Sequence, residues 1–181
     1  GITEKLDYLH GLGVDCLYMT PIFESPSNHR YDAMDYYQID PMLGSEEDLA
    51  ELVEETHRRG MRIVLDAVYN HCSNDSKYFN QSGWYGDDVG AYRSRSSPFF
   101  RMFTFKKYPK QYVGWVGVKS MPEFVECPEH EAYFLGKEGV TSYWMRFGID
   151  GWRTDVTPWM SNEFWRRFRR SVRAIKADAL I

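Results

Sequence analysis

The sequence predicts a parallel α/β fold, and three observations carry that reading. Stretches with helical spacing alternate with short β-branched runs along most of the chain. One such run, Met61-Arg62-Ile63-Val64-Leu65-Asp66-Ala67-Val68, is apolar enough for an interior strand covered by helices. The polar and charged residues suited to chemistry gather just after the strand-like runs, where parallel sheets keep their sites. An open doubly wound sheet and a (β/α)8 barrel both fit. No Gly-x-Gly-x-x-Gly or phosphate-cradling loop is present, which weakens the nucleotide-binding form of the first.

Taken in order, Ile2, Leu6, Leu9 and Leu12 recur at helical spacing and stop at Gly13, and residues 14–19 then read as a short buried strand. Residues 21–44 hold Pro21, Pro26, Pro41 and Gly44 among polar groups and read as a long loop. Ser45-Glu46-Glu47-Asp48 resembles a capping box that opens a helix with Leu49, Leu52 and Val53 inward and Gly60 just past its end. The second strand is 61–68. Residues 72–127 lack a sustained period but are dense in Gly, Ser and aromatics, so an inserted subdomain is expected rather than a structureless loop. A helical stretch runs from Pro128 to Gly148, interrupted by Gly139. Residues 149–156 form the third strand, Ser161 caps a helix carrying Phe164, Trp165, Phe168, Val172 and Ile175, and 179–181 begin a fourth strand.

Composition narrows the class. With 181 residues, 43% hydrophobic and 27% charged, the chain can bury one sizeable core. A formal charge of -4 gives no electrostatic case for nucleic acid, and Arg166, Arg167, Arg169 and Arg170 lie on one helical pattern, as a solvated face would. No apolar run suits a membrane span, and no charged-then-apolar leader opens the chain. Cys16, Cys72 and Cys127 are too scattered for a disulfide framework and form no zinc-type pair, so they read as reduced thiols, which fits the cytoplasm. Gly1 rather than Met in first place suits an internal piece of a longer chain or a processed product.

The strand-end rule collects Asn28, His29, Tyr31, Asp32 and Asp35 after the first strand, Asp66, Asn70 and His71 late in the second, and Arg153 and Asp155 on the third. Period-two alternation turns Arg153 and Asp155 to the same face. The arginine would keep the carboxylate ionised and oriented, which suits a nucleophile; a purely structural Arg–Asp pair fits the spacing as well. Asp66 and His71 could hold a metal or a polar substrate, or satisfy one another. Tyr31 could stack on a flat apolar ligand face.

At these positions the sequence resembles the α-amylase family of glycoside hydrolases, and more narrowly its neopullulanase and cyclomaltodextrinase branch. Asp66-Ala67-Val68-Tyr69-Asn70-His71 is similar to the family's first signature and Gly151-Trp152-Arg153-Thr154-Asp155-Val156 to its second. Met121-Pro122-Glu123-Phe124 is similar to the segment that ends its inserted domain. The resemblance implies a partial (β/α)8 barrel holding strands two to four and the start of five. Its expected division is 1–71 barrel, 72–127 insert over the cleft, and 128–181 barrel again.

The same resemblance implies a retaining hydrolase of α-glucosidic bonds in maltooligosaccharides, cyclodextrins, pullulan or starch. Asp155 would be the nucleophile and Arg153 its orienting partner. Asp66, His71 and His29 would support the sugar that Tyr31 stacks on. No metal or other cofactor is expected, although calcium at Asn70 is left open because many relatives bind it there. The second signature departs from the family at Thr157-Pro158-Trp159, where Trp159 would stack on a leaving-side sugar. The general acid, a Glu ending the family's fifth strand, is expected beyond Ile181, which would leave these residues inactive alone. A homodimeric whole protein is compatible with the branch. The rival readings are a transglycosylase and a non-catalytic amylase-like scaffold subunit.

Overall fold

The computed structural model describes residues 1–181 and opens with helix α1 (Leu6–Gly11), preceded by one 3-10 turn. Of the apolar residues spaced along it only Leu6 is buried, and Leu12 stands exposed. The first strand, β1 (Cys16–Tyr18), follows. Residues 21–44, expected as a loop, instead contain a small antiparallel ribbon of β2 (Phe23–Glu24) and β3 (Asp35–Ile39). The cause is hydrophobic: Phe23 and Tyr36 lie fully in the core and pull the two short segments together.

Helix α2 (Glu46–Arg58) begins with the expected capping box, Ser45 accepting from the Asp48 amide while Asp48 accepts from the Ser45 amide. Its Leu49, Leu52 and Val53 face inward. Strand β4 (Arg62–Ala67) is buried along nearly its whole length, as its apolar composition requires. Between β4 and the next long helix lie two 3-10 turns and the hairpin of β5 (Phe105–Lys107) and β6 (Gln111–Tyr112). Residues of this stretch, including Tyr78, Phe79, Met102, Phe103 and Phe124, share one continuous core with the sheet.

The helical stretch after Pro128 is two helices, α3 (Pro128–Leu135) and α4 (Val140–Phe147). Both glycines of the break permit close packing: a Cβ would stand 2.3 Å from the Ala132 carbonyl oxygen at Gly136 and 2.7 Å from that of Tyr133 at Gly139. Strand β7 (Gly151–Thr154) and helix α5 (Asn162–Ile175), capped by Ser161, complete the chain.

The main sheet is parallel with order β1-β4-β7, pairing Tyr18 with Val64 and Asp66 with Arg153. Leu180 bridges in parallel to Gly151, so the anticipated fourth strand starts beside β7. Gly151 makes that approach possible, since any Cβ there would meet the Leu180 carbonyl at 2.1 Å. Fully buried Tyr36, Tyr69, Phe134, Trp144, Trp152 and Phe168 fill the space between sheet and helices. Each such ring stabilises by about 2–3 kcal/mol through lost apolar exposure. No helix is long and apolar enough to cross a membrane.

Candidate active site

Register decides what meets at the C-terminal ends of the strands. Because Asp66 on β4 pairs with Arg153 on β7, and Tyr18 on β1 pairs with Val64 two residues earlier, three polar side chains from three strands converge on one rim. Asp66 is 2% exposed. Arg153 Nη1 donates to its Oδ1 and Oδ2 at 3.1 and 3.0 Å, and the Tyr18 hydroxyl donates to Oδ2 at 2.5 Å. Tyr31 adds a fourth contact, its hydroxyl 3.2 Å from the same oxygen. Burial raises the Asp66 carboxyl above its ordinary range, opposed by the hydrogen bonds from Tyr18 and Arg153.

Asp155 sits one residue past β7, its amide still donating to the Ala67 carbonyl at 3.2 Å. Its Oδ1 accepts from Arg153 Nη1 at 2.7 Å, so the expected pair forms, and a single guanidinium nitrogen joins it to Asp66. The next residue, Val156, has φ 43 and ψ 42. A β-branched residue in the left-handed region stores about 1–3 kcal/mol of strain, a pattern concentrated at functional sites.

A cavity of about 310 Å³ opens beside these groups, lined by His29, Tyr31, His71, Trp115, Met121, Asp155 and Val156. His71 reaches it because residues 70–72 pair with 122–124: the Phe124 amide donates to Asn70 and the Cys72 amide to Pro122. Burial drives the His71 imidazole down to about 4, so it is neutral near pH 7, and its Nε2 has no partner in the protein. His29 and Tyr31 flank left-handed Arg30, their ring centroids 6.1 Å apart. Trp159 is not among the lining residues; it is 53% exposed in the turn after Val156.

Two residues were missed by sequence reasoning: Tyr18, taken for an ordinary strand residue, and Trp115, lost within the aperiodic 72–127 stretch. Neither Asp32 nor Asp35 lines the cavity: Asp32 accepts from Ser25 and Ser27 and lies 3.7 Å from His29 Nδ1 behind it, and Asp35 pairs with Lys77.

The neighbourhood of Asn70 does not suit calcium, which takes six to eight oxygen ligands. Its amide nitrogen faces Met160 Sδ at 3.8 Å and its Oδ1 faces His71 Nδ1 at 3.4 Å. No group of three or more His, Cys, Asp or Glu residues is arranged to hold a metal anywhere in the chain.

A family model described as the alpha amylase catalytic domain matches residues 1–172. The chain belongs to the alpha-amylase family. It is 41% identical to a cyclomaltodextrinase of Geobacillus thermopakistaniensis over 184 residues, covering 100% of this chain and 30% of that protein. It is 40% identical to neopullulanase 2 of Thermoactinomyces vulgaris over 186 residues, with the same coverage of each. An amylopullulanase of Thermoanaerobacterium saccharolyticum is 39% identical, with 99% of this chain covering 15% of it. The chain thus spans less than a third of these relatives.

Among solved alpha-amylase-family structures, the cyclic alpha-maltosyl-(1-->6)-maltose hydrolase of Arthrobacter globiformis superposes with a TM-score of 0.87 at 37% identity, covering 99% of this chain and 40% of that one. The debranching enzyme of Nostoc punctiforme gives 0.86 at 39% identity, covering 100% and 39%. The parallel sheet with its helices is part of a (β/α)8 barrel.

Proposed function

We propose that this chain carries the nucleophile side of a retaining α-glucan hydrolase acting on maltooligosaccharides, cyclodextrins, pullulan or starch. One observation carries the reading: Arg153 Nη1 links buried Asp66 to Asp155 at the wall of a cavity lined by Tyr31, His29 and His71. A scaffold subunit has no chemical need of that arrangement.

In the proposed reaction an Asp155 oxygen attacks the anomeric carbon of a glucosyl unit seated in the cavity. The glycosidic C–O bond breaks, and its oxygen takes a proton from a general acid. Water then cleaves the glycosyl ester while the same acid, now a base, removes the water proton. Arg153 orients Asp155 and neutralises part of its charge; Asp66 fixes Arg153. Tyr31 offers its ring face to the sugar, and His71 and His29 meet hydroxyl groups. Residues 72–127 act as the insert over the cleft.

Retention requires a second carboxyl group about 5 Å from the nucleophile. Asp66, the carboxyl closest in the hydrogen-bond network, is held by Tyr18, Tyr31 and Arg153 and is not free to donate. The resemblance to the family assigns the acid to a Glu ending the fifth barrel strand, outside residues 1–181, and on that reading these residues alone are inactive. Trp159, exposed just past Asp155, supports a second reading, transfer to an acceptor sugar stacked on its indole. The likeness to the intracellular maltogenic amylase of Bacillus subtilis, 41% identical over 183 residues, supports a cytoplasmic whole protein.

Replacing Asp155 by Ala in the whole protein should lower turnover of maltooligosaccharides by several orders of magnitude, and mass spectrometry of the quenched wild-type reaction should find a hexosyl adduct on the peptide containing Asp155. Near-wild-type turnover in the variant would end the assignment.

A further inference from the structure

Trp115 lies face to face with His71, ring centroids 5.0 Å apart and planes inclined by 29°. Core packing does not explain its place. It belongs neither to the continuous hydrophobic core nor to the partly buried residues packed on it, unlike Trp165, Phe105 and Tyr112. The loop that carries it is nevertheless tightly built. The Trp115 amide donates to the Met121 carbonyl at 2.8 Å, and Val118 donates back to Trp115 at 2.9 Å. A Cβ at Gly114 would stand 2.2 Å from the Val118 carbonyl, so only glycine fits there. Val116, next in the chain, is held at φ 49 and ψ 31, a conformation that a β-branched residue adopts only under constraint. The loop sends just Trp115 and Met121 into the cavity wall.

His71 needs such a neighbour. Its one side-chain hydrogen-bond contact is long, Nδ1 to Asn70 Oδ1 at 3.4 Å, and the Tyr31 backbone adds a further polar contact to the ring, so packing must supply the rest of its orientation. Its Nε2 is buried with no protein partner, a state that native interiors rarely tolerate without a ligand to complete it.

We propose that Trp115 is a positioning residue: its indole fixes the plane of the His71 imidazole so that Nε2 meets a hydroxyl of the glucosyl unit in the cavity. The inference rests on the α-glucan reading of this site and adds a residue from the 72–127 stretch to its sugar recognition. Burial keeps His71 neutral, with Asp155, Asp32 and a backbone hydrogen bond to Tyr31 pulling its affinity for protons upward and His29 opposing them. Asn70 stands beside it in the chain and Glu123 opposite it on the paired segment. Removing the indole admits water to one face of the ring and frees its rotation.

The test uses the whole protein carrying Asp155→Asn, to prevent turnover, with Trp115→Ala, Trp115→Leu or Trp115→Phe added. Two quantities are read: the His71 titration by NMR and maltotriose affinity by calorimetry. Trp115→Ala and Trp115→Leu should weaken maltotriose about tenfold, as loss of one aromatic stack does. In both, His71 should titrate closer to the free-imidazole value of about 6.5. Trp115→Phe keeps a flat ring and should restore most of both. If Leu leaves both readings unchanged, or if Phe fails as Leu does, stacking is not the cause and the proposal is overturned. Failure of the glycosidase reading looks different: Asp155→Asn would retain hydrolysis while the His71 titration still moved with Trp115.

Discussion

Arg153 donates through Nη1 to Asp155 at 2.7 Å, two residues further along the same backbone, and the same nitrogen serves Asp66 on the neighbouring strand. The carboxylate at the cavity is thus fixed to the floor of the sheet through one guanidinium atom. Lysine carries its charge on a shorter, flexible and strongly hydrated stem, which would not hold one nitrogen at a fixed point between the two carboxylates as the rigid guanidinium holds Nη1. Arg153→Lys in the whole protein should therefore reduce kcat for maltooligosaccharides about a hundredfold or more while moving KM little. A steady-state series against chain length checks this; a change confined to KM would show that Arg153 binds substrate instead.

Tyr18→Phe removes one of the donors that keep the buried Asp66 carboxylate charged. Burial already raises that carboxyl, so losing the phenol should raise it further and weaken its hold on Arg153. The expected cost is about 1.5–3 kcal/mol of stability, the range for a hydrogen bond to a charged group. Urea denaturation measures the stability loss. The acid limb of activity should also move to higher pH, and an unshifted limb would place Asp66 outside the ionisation that governs catalysis.

Sequence made the strand-end residues legible because strand polarity alone assigns them to one rim. Asp66, His71, Arg153 and Asp155 needed no knowledge of the register to be grouped. Tyr18 did need it: its hydroxyl meets a carboxylate 48 residues away, a contact that exists only once β1 pairs with β4. Trp115 was hidden for a related reason, since the pairing of 122–124 with 70–72 that carries it back to the cavity leaves no periodic trace. In α1 the apolar spacing overstated burial, as only Leu6 meets the core. The β2–β3 ribbon went unseen because β2 is two residues long.

Two buried histidines set an acid limit on stability. His71 and His130 are each pushed down to about 4 by burial, against about 6.5 in the unfolded chain. Between those values the unfolded chain binds more protons than the folded one, so folding stability rises with pH through this window and falls as pH drops. His130 also places Nε2 2.8 Å from the Tyr69 carbonyl, which favours a proton on that nitrogen in the neutral ring. Denaturant midpoints measured from pH 7.5 to 4.5 should decline steadily. His130→Phe or His130→Leu should flatten the slope over this window; an unchanged slope would mean that His130 titrates normally.

Asp150 offers a separable test, because it stands just before β7, at the rim opposite the cavity, and touches nothing proposed for catalysis. Its Oδ2 accepts from the Ile63 amide at 2.8 Å and contacts His57 Nε2 at 2.7 Å, while Oδ1 accepts from Lys176. Burial opposes the charge, yet the hydrogen bonds from Lys176, Ile63 and His57 outweigh it and hold the carboxyl below the ordinary value of 3.8. A depressed carboxyl contributes stability that is complete above its unfolded value and is lost as pH falls through the folded one, below about 4. Asp150→Asn removes that charge from a buried cluster joining α2, β4, β7 and the segment after α5, and should cost about 2–4 kcal/mol at pH 7. Thermal unfolding of the whole protein reads the loss, and kcat at low temperature should stay within about twofold of the parent, since the partners of Asp150 are His57, Ile63 and Lys176 and none of them lines the cavity. A large fall in kcat without a fall in stability would mean that this lower cluster, rather than the rim alone, governs the position of Arg153 and Asp155.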